Sequence, residues 1–335
     1  MISNIKAFQF SFFIACCLQL IFSVSAIAAD KTYFLASKDQ PLTGHGPTGN
    51  TAAPPVDDKT IKDCTVAIKC QPKDAYAYRE RARAFAFKGQ LQKAIDDYSQ
   101  AIKLQPKNFF FYECRGGMYV RQGLGEKAIA DYDQAVKLTP NNYARYSNRA
   151  SAYHDLGQDQ KAMEDCNKAI RLEQGQPSLY TFRALLYLGL KNFDKALVDY
   201  DKAISLIPHN QCKYEYAHLY VDRALLYREM KNYPKALADC DKAIGCEPYV
   251  TSVFLNGKAP KCLKAVNQVE GICSAYSVRG TIRFEQGQFE RALEDLNSAI
   301  KLDPKCARCY VIRERIYFKL GLKQKQTRTL TALEH

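Results

Sequence analysis

Cys306 and Cys309 stand three positions apart in the segment KCARCY, close enough for both sulfurs to share one helical turn. At a helix N-terminus such a pair is the arrangement in which a thiolate is stabilised for disulfide exchange. The motif falls near a helix start, but no strand precedes it and its surroundings are those of an ordinary repeat boundary, so redox catalysis is not expected. His209, Cys212, His218 and Cys246 offer a second group of ligand types. They form no paired C-x-x-C or H-x-x-x-H spacing, and no metal or other cofactor is expected. There is no glycine-rich loop for phosphates, no G-x-S-x-G elbow, and little histidine. The chain reads as non-catalytic.

Two charge ladders run through the sequence. Arg81, Arg115, Arg149, Arg183, Arg223, Arg279 and Arg313 form one, and Asp63, Asp97, Asp131, Asp165, Asp199, Asp239 and Asp295 the other. A row of arginines suits phosphates, and a row of aspartates suits cations. Two ladders of opposite sign at matching intervals are better explained by pairing with each other at helix junctions, where they set register more than they add stability.

The elements that must position these residues follow a period of 34. Pro72, Pro106, Pro140 and Pro208 lie on one grid, with Gln174 in the slot of a missing proline. Each is preceded by a variant of DYSQAIKLQP, and further copies end at Pro248 and Pro304. Such a period marks a stack of small units, none of which can bury its apolar side alone. Tyr78, Ala82 and Phe85 are spaced i, i+4, i+7 and share one helical face, with a small residue between two rings so that a neighbouring helix can approach. Ala94, Tyr98 and Ala101 repeat the device on a second helix. Gly89, Gly123, Gly157 and Gly287 end first helices, and the prolines stop the second ones. No alternating run asks to be a strand.

These residues resemble the tetratricopeptide repeat family, a helix–turn–helix unit of 34 residues. Copies run at 75–108, 109–142, 143–176, 177–210, 217–250 and 273–306, with a half repeat at 57–72 and a degenerate terminal repeat or cap at 307–335. The resemblance implies an all-α, right-handed superhelical solenoid whose first helices line a concave groove. It places ligand contacts on Tyr76, Arg79, Arg83 and Phe87, then Phe110, Glu113 and Arg121, then His154, His218, Arg228, Arg308 and Arg315. Aromatics beside arginines suit a peptide or an acidic protein surface through stacking and carboxylate pairing. Some of these side chains are equally suited to packing between repeats. The lysine and asparagine clamp that some members close on a peptide C-terminus is absent: Arg79 and Arg83 are followed at the same positions by Glu113 and Gly117, then by Ser147 and Ser151. The implied function is a non-catalytic protein- or peptide-binding scaffold. The alternative is a structural or oligomerising envelope component that contacts an anionic membrane surface or another copy of the chain.

Residues 1–29 read as a secretory signal peptide, with Lys6, an apolar stretch from Phe8 to Ile21 and a small-residue site around Ala26-Ile27-Ala28. Residues 30–56, rich in glycine and proline, read as a flexible leader, and 57–335 as the solenoid. Export to a periplasmic or extracellular compartment is the expectation, and it permits disulfides. Of 13 cysteines, Cys16 and Cys17 fall in the signal segment. Cys64, Cys166 and Cys240 occupy core positions, whereas Cys212, Cys246, Cys262, Cys273, Cys306 and Cys309 are the candidates for disulfides. Several of them flank an insertion at 249–270, in which Pro260 is expected to open a short extra helix through Val269. The formal net charge of +13 attracts anionic partners. The lysines are scattered along second helices rather than gathered in a stripe, so nucleic acid is not the expected partner.

Overall fold

The structure is a computed structural model and describes residues 58–207, 216–245 and 263–322. The signal segment, the leader, Cys212, Cys246, Cys262 and residues 323–335 of the cap lie outside the described residues. The described residues form fourteen helices and no strand. The fold is an all-α solenoid of tandem helix–turn–helix repeats, and it divides into two compact units at Leu190.

The first unit holds α1 (Asp58–Cys70), α2 (Ala75–Phe87), α3 (Leu91–Leu104), α4 (Phe109–Arg121), α5 (Gly125–Leu138), α6 (Tyr143–Asp155), α7 (Asp159–Leu172) and α8 (Pro177–Gly189). Within this unit each helix packs on its neighbours in sequence. Side chains start the first helices: the Asp74 carboxylate accepts from the Tyr76 and Ala77 amides at 2.9 and 3.2 Å, and Asn108 and Asn142 accept from Phe110 and Ala144. Such caps satisfy amide donors that have no partner within the helix. Pro177 opens α8 at a position where its missing N–H costs nothing.

The core explains the alanines. Ala82, Ala94, Ala128, Ala150 and Ala162 are fully buried; the ring of Tyr98 packs with Ala82 and Ala94, and that of Tyr132 with Ala128. At Gly116 even a methyl group is too large, because a Cβ there would lie 2.9 Å from the Tyr132 ring. The tyrosine that opens each first helix does more than pack. Tyr112, Tyr146 and Tyr180 donate their hydroxyls to the carbonyls of Pro106, Pro140 and Gln174, so each ties its helix to the turn before it. Gln174 serves as well as proline in this role, since only the carbonyl is used.

The second unit holds α9 (Phe193–Ser205), α10 (Ala217–Glu229), α11 (Tyr233–Ile244), α12 (Leu263–Glu285), α13 (Phe289–Leu302) and α14 (Ala307–Lys319). Ala224, Ala236, Cys240, Ala243, Ala275 and Ile282 form one core, and Cys273, Leu296, Ala299, Cys309 and Ile316 another. The expected short helix ahead of the sixth repeat is instead continuous with that repeat's first helix. The 23-residue α12 runs unbroken from Leu263 and packs on both α10 and α11. No proline interrupts this stretch, and its two glycines, Gly271 and Gly280, are each tolerated inside a helix at a cost of about 1 kcal/mol.

Lys231 has φ of 57° and Lys191 a φ of 56°, at the turn position where Gly89, Gly123, Gly157, Gly287 and Gly321 have φ between 70° and 75°. The turn requires the left-handed conformation whichever residue occupies it. Among the described residues no helix is long and apolar enough to cross a membrane.

Candidate functional site

The two charge ladders meet as bidentate pairs inside single repeats. Arg81 donates to Asp97 from Nε at 2.8 Å and from Nη2 at 2.7 Å. Arg115 holds Asp131, Arg149 holds Asp165, Arg223 holds Asp239 and Arg279 holds Asp295 in the same way. The aspartates are almost fully buried, and their hydrogen bonds hold the Arg81, Arg115 and Arg149 guanidiniums above their already high ordinary range. Spacing alone did not reveal a third contact. The remaining nitrogen, Nη1, reaches back to the second helix of an earlier repeat: Arg115 to Ser99, Arg149 to Asp133, Arg223 to Asp201 and Arg279 to Asp241. Arg183 reaches Asn167 and Arg313 reaches Asn297 in the same manner. These arginines are therefore engaged within the protein and are not a phosphate-binding row. Asp63 differs from the other aspartates. It is exposed and has no ion pair among the described residues, because residue 47, where its arginine would fall, is a proline.

The groove candidates of the first two repeats come together on the free face of α2 and α4. Tyr76, Arg79, Arg83 and Phe87 follow one another along α2, and Tyr76 and Phe87 are 50% and 76% exposed. Arg79 lies 5.1 Å over the Tyr76 ring and 6.0 Å from Phe110 on α4. Glu80 holds both arginines, Arg79 Nε at 2.9 Å and Arg83 Nη2 at 3.1 Å. Arg83 Nε is buried and has no hydrogen-bond partner among the described residues. Arg121 Nη1 donates to the Ala86 carbonyl at 3.2 Å, which ties the end of α4 to the end of α2. The outcome is a shelf of exposed rings and half-buried guanidiniums.

Glu113 departs from the expectation of a ligand contact. It is buried, and it accepts from Asn148 Nδ2 at 2.5 Å and from Arg145 Nη1 at 3.2 Å, both on α6. Arg145 in turn stacks 4.3 Å over Phe109. Burial raises the Glu113 carboxyl above the usual carboxylate range, against the opposing pull of Arg145 and Asn148. Two other candidates are also occupied. His154 Nδ1 lies 2.6 Å from the Asp159 carboxylate with its ring edge-on to Phe182, and Arg228 pairs with Glu285. His218 is half-buried on α10. Arg308 is exposed and Arg315 half-buried on α14, where Phe318 is 72% exposed.

With this geometry in hand, the comparisons with known proteins are decisive for the fold. Tetratricopeptide repeat family models match residues 143–176, 177–210 and 274–306, and a TPR repeat model matches 82–123 and 116–157. The chain belongs to the tetratricopeptide repeat family. Two solved structures share its fold. A chain of the APC/C hetero-tetramer Cut9–Hcn1 is 13% identical with a TM-score of 0.55 over 77% of this chain, which spans 46% of that one. PilF of Pseudomonas aeruginosa is 13% identical with a TM-score of 0.52, over 73% of this chain and 100% of that one. No curated protein matches the chain in sequence.

Six of the eight described cysteines of this tetratricopeptide repeat protein form two groups; Cys64, expected in the core, is only half-buried on α1, where no earlier helix covers it among the described residues, and Cys70 is exposed. Cys114, Cys166 and Cys240 are buried in the core, and burial pushes the Cys114 and Cys240 thiols up to about 12. Cys166 donates to the Leu179 carbonyl at 3.4 Å. Cys273, Cys306 and Cys309 instead converge, although 33 residues separate the first from the second. Cys306 Sγ lies 2.6 Å from Cys309 Sγ, Cys273 Sγ lies within 4.8 Å of Cys306 Sγ, and the Cys273 thiol donates to the Ala299 carbonyl at 3.5 Å. The close approach of these thiols lowers the pKa of Cys306 and raises that of Cys273.

Proposed function

We propose that this chain is a scaffold without catalysis of its own that binds an acidic peptide or protein segment on the α2–α4 face and works outside the cytoplasm. The observation that carries this reading is the shelf formed by Tyr76, Arg79, Arg83, Phe87 and Phe110. Exposed aromatic rings supply apolar area at small conformational cost, and arginine forks recognise carboxylates with two parallel bonds. Seven of the chain's eighteen arginines belong to the charge ladder. Arg79 and Arg83, by contrast, share a single carboxylate, Glu80, and Arg83 keeps an unpartnered Nε. An incoming carboxylate gives the two half-buried guanidiniums a second partner. The net charge of +13 adds long-range attraction for an anionic partner.

The extracytoplasmic setting rests on the apolar N-terminal stretch with its small-residue site, and sequencing the N-terminus of the mature chain tests it directly. The binding reading is tested by crosslinking the intact protein in its native cell and then measuring affinity for the recovered partner. Arg79→Ala with Arg83→Ala should weaken binding by about tenfold or more, since charged hydrogen bonds contribute roughly 1.5–3 kcal/mol each. The affinity should fall further with salt in the wild type than in the variant. Equal affinities for the two proteins, with helicity unchanged, would remove this face from consideration.

A further inference from the structure

We propose that Cys273, Cys306 and Cys309, together with Asp303, form a four-ligand site for a thiol-preferring divalent cation of the zinc class. The ligand atoms of Cys273, Asp303 and Cys306 all lie within 4.8 Å of one another, and Cys309 Sγ is 2.6 Å from Cys306 Sγ. Three elements bring them together. Cys273 lies on α12, Asp303 caps the end of α13, and Cys306 and Cys309 occupy the N-cap and the third position of α14.

A tetrahedral ion about 2.3 Å from each sulfur needs sulfurs roughly 3.8 Å apart, so Cys306 and Cys309 must separate by about 1 Å to share one. The donor count also favours a cation over a disulfide. A Cys306–Cys309 bridge would use two sulfurs and leave Cys273 with its contact to the Ala299 carbonyl and Asp303 with its contact to the Lys305 amide. A dication uses all four donors and offsets the charge of three thiolates beside an aspartate. Two further features fit a built site. The Asp303 carboxylate is oriented by the Lys305 amide at 2.9 Å, and the buried Ser277 hydroxyl, one turn along α12 from Cys273, has no hydrogen-bond partner among the described residues. An ion here would pin α12, α13 and α14 together in the last described repeat.

The test uses the full chain, reduced and handled without oxygen. It should retain one zinc ion per chain through gel filtration, and cobalt should give the intense sulfur-to-metal charge-transfer and tetrahedral ligand-field bands of thiolate coordination. Cys306→Ser should abolish these bands while folding normally, because serine is a good N-cap. Asp303→Asn should keep the fold and weaken metal affinity by about tenfold. Cys70→Ser, on the exposed end of α1, should change nothing. Failure of the reduced wild type to retain zinc, or cobalt bands that survive in Cys306→Ser, would overturn the proposal. So would a Cys306–Cys309 disulfide in the isolated protein whose reduced form then binds no zinc.

Discussion

Arg228 Nε donates to Glu285 Oε1 at 3.0 Å, joining the end of α10 to the end of α12 across 57 residues of sequence. In the repeat register Arg228 occupies a position that commonly faces ligand, yet here it fastens two first helices to each other. Arg228→Ala is therefore expected to cost about 1 kcal/mol of stability, as partly exposed ion pairs do, and to leave partner affinity unchanged. Thermal unfolding and a binding titration on the same sample separate the two effects. A large loss of affinity at constant melting temperature would return Arg228 to the binding face.

The bidentate ladder predicts an asymmetry between single and double substitutions. Asp97→Ala strips Arg81 of its main partner in a buried setting and should cost about 3 kcal/mol. Arg81→Met combined with Asp97→Leu removes both charges and fills the space, and should recover most of that loss. Urea unfolding followed by circular dichroism provides the comparison. If the double variant is as unstable as the single one, the pair contributes more than register.

Lys231 occupies the left-handed turn that glycine fills elsewhere. A residue with a Cβ is strained there by about 1–2 kcal/mol, of which glycine's greater freedom in the unfolded chain takes back part. Lys231→Gly should thus stabilise the second unit by about 0.5–1 kcal/mol. Amide exchange in α10 and α11 should slow accordingly, and an unchanged or faster rate would contradict the strain.

Glu113 carries a pH signature. Its folded pKa is raised, with burial the largest cause, so the native chain holds this proton at pH values where the unfolded chain, near 4.3, has lost it. Between those two values the folded state binds more protons, and stability falls as pH rises. Glu113→Gln removes this contribution. The variant should gain on the wild type as pH is raised from 4 towards the folded value and then hold a constant difference. Parallel stability curves across that range would show that Arg145 and Asn148 fully compensate the burial.

The periodic features were legible because the period itself is physical. A unit that must stack on copies of itself repeats its small residues, rings and turn glycines, and Ala82, Gly116 and Gly123 can each be placed from spacing alone. The pairing of the ladders was also open to inference from opposite charges at matching intervals. The third contact of each arginine was not, because its acceptors vary between serine, asparagine and aspartate and only the position is shared. The groove residues were legible as positions but not as free groups. Tyr76, Arg79 and Phe87 stand on an accessible face, whereas Glu113 and Arg228 are held by Asn148 and Glu285, which no motif links to them.

The sequence by itself determined the helix–turn–helix repeat, its boundaries at glycine and proline, and the small-residue seams at which helices meet. These are local or nearest-neighbour properties, set by side-chain size and backbone preference within one period. Tertiary structure alone decided which polar groups remain available. It buried Glu113, engaged Arg228, left Arg83 Nε without an acceptor, and gathered Cys273 with Cys306 and Cys309. Those outcomes depend on which side chains meet when neighbouring repeats stack, and that meeting is fixed by distances between helices rather than by intervals along the chain.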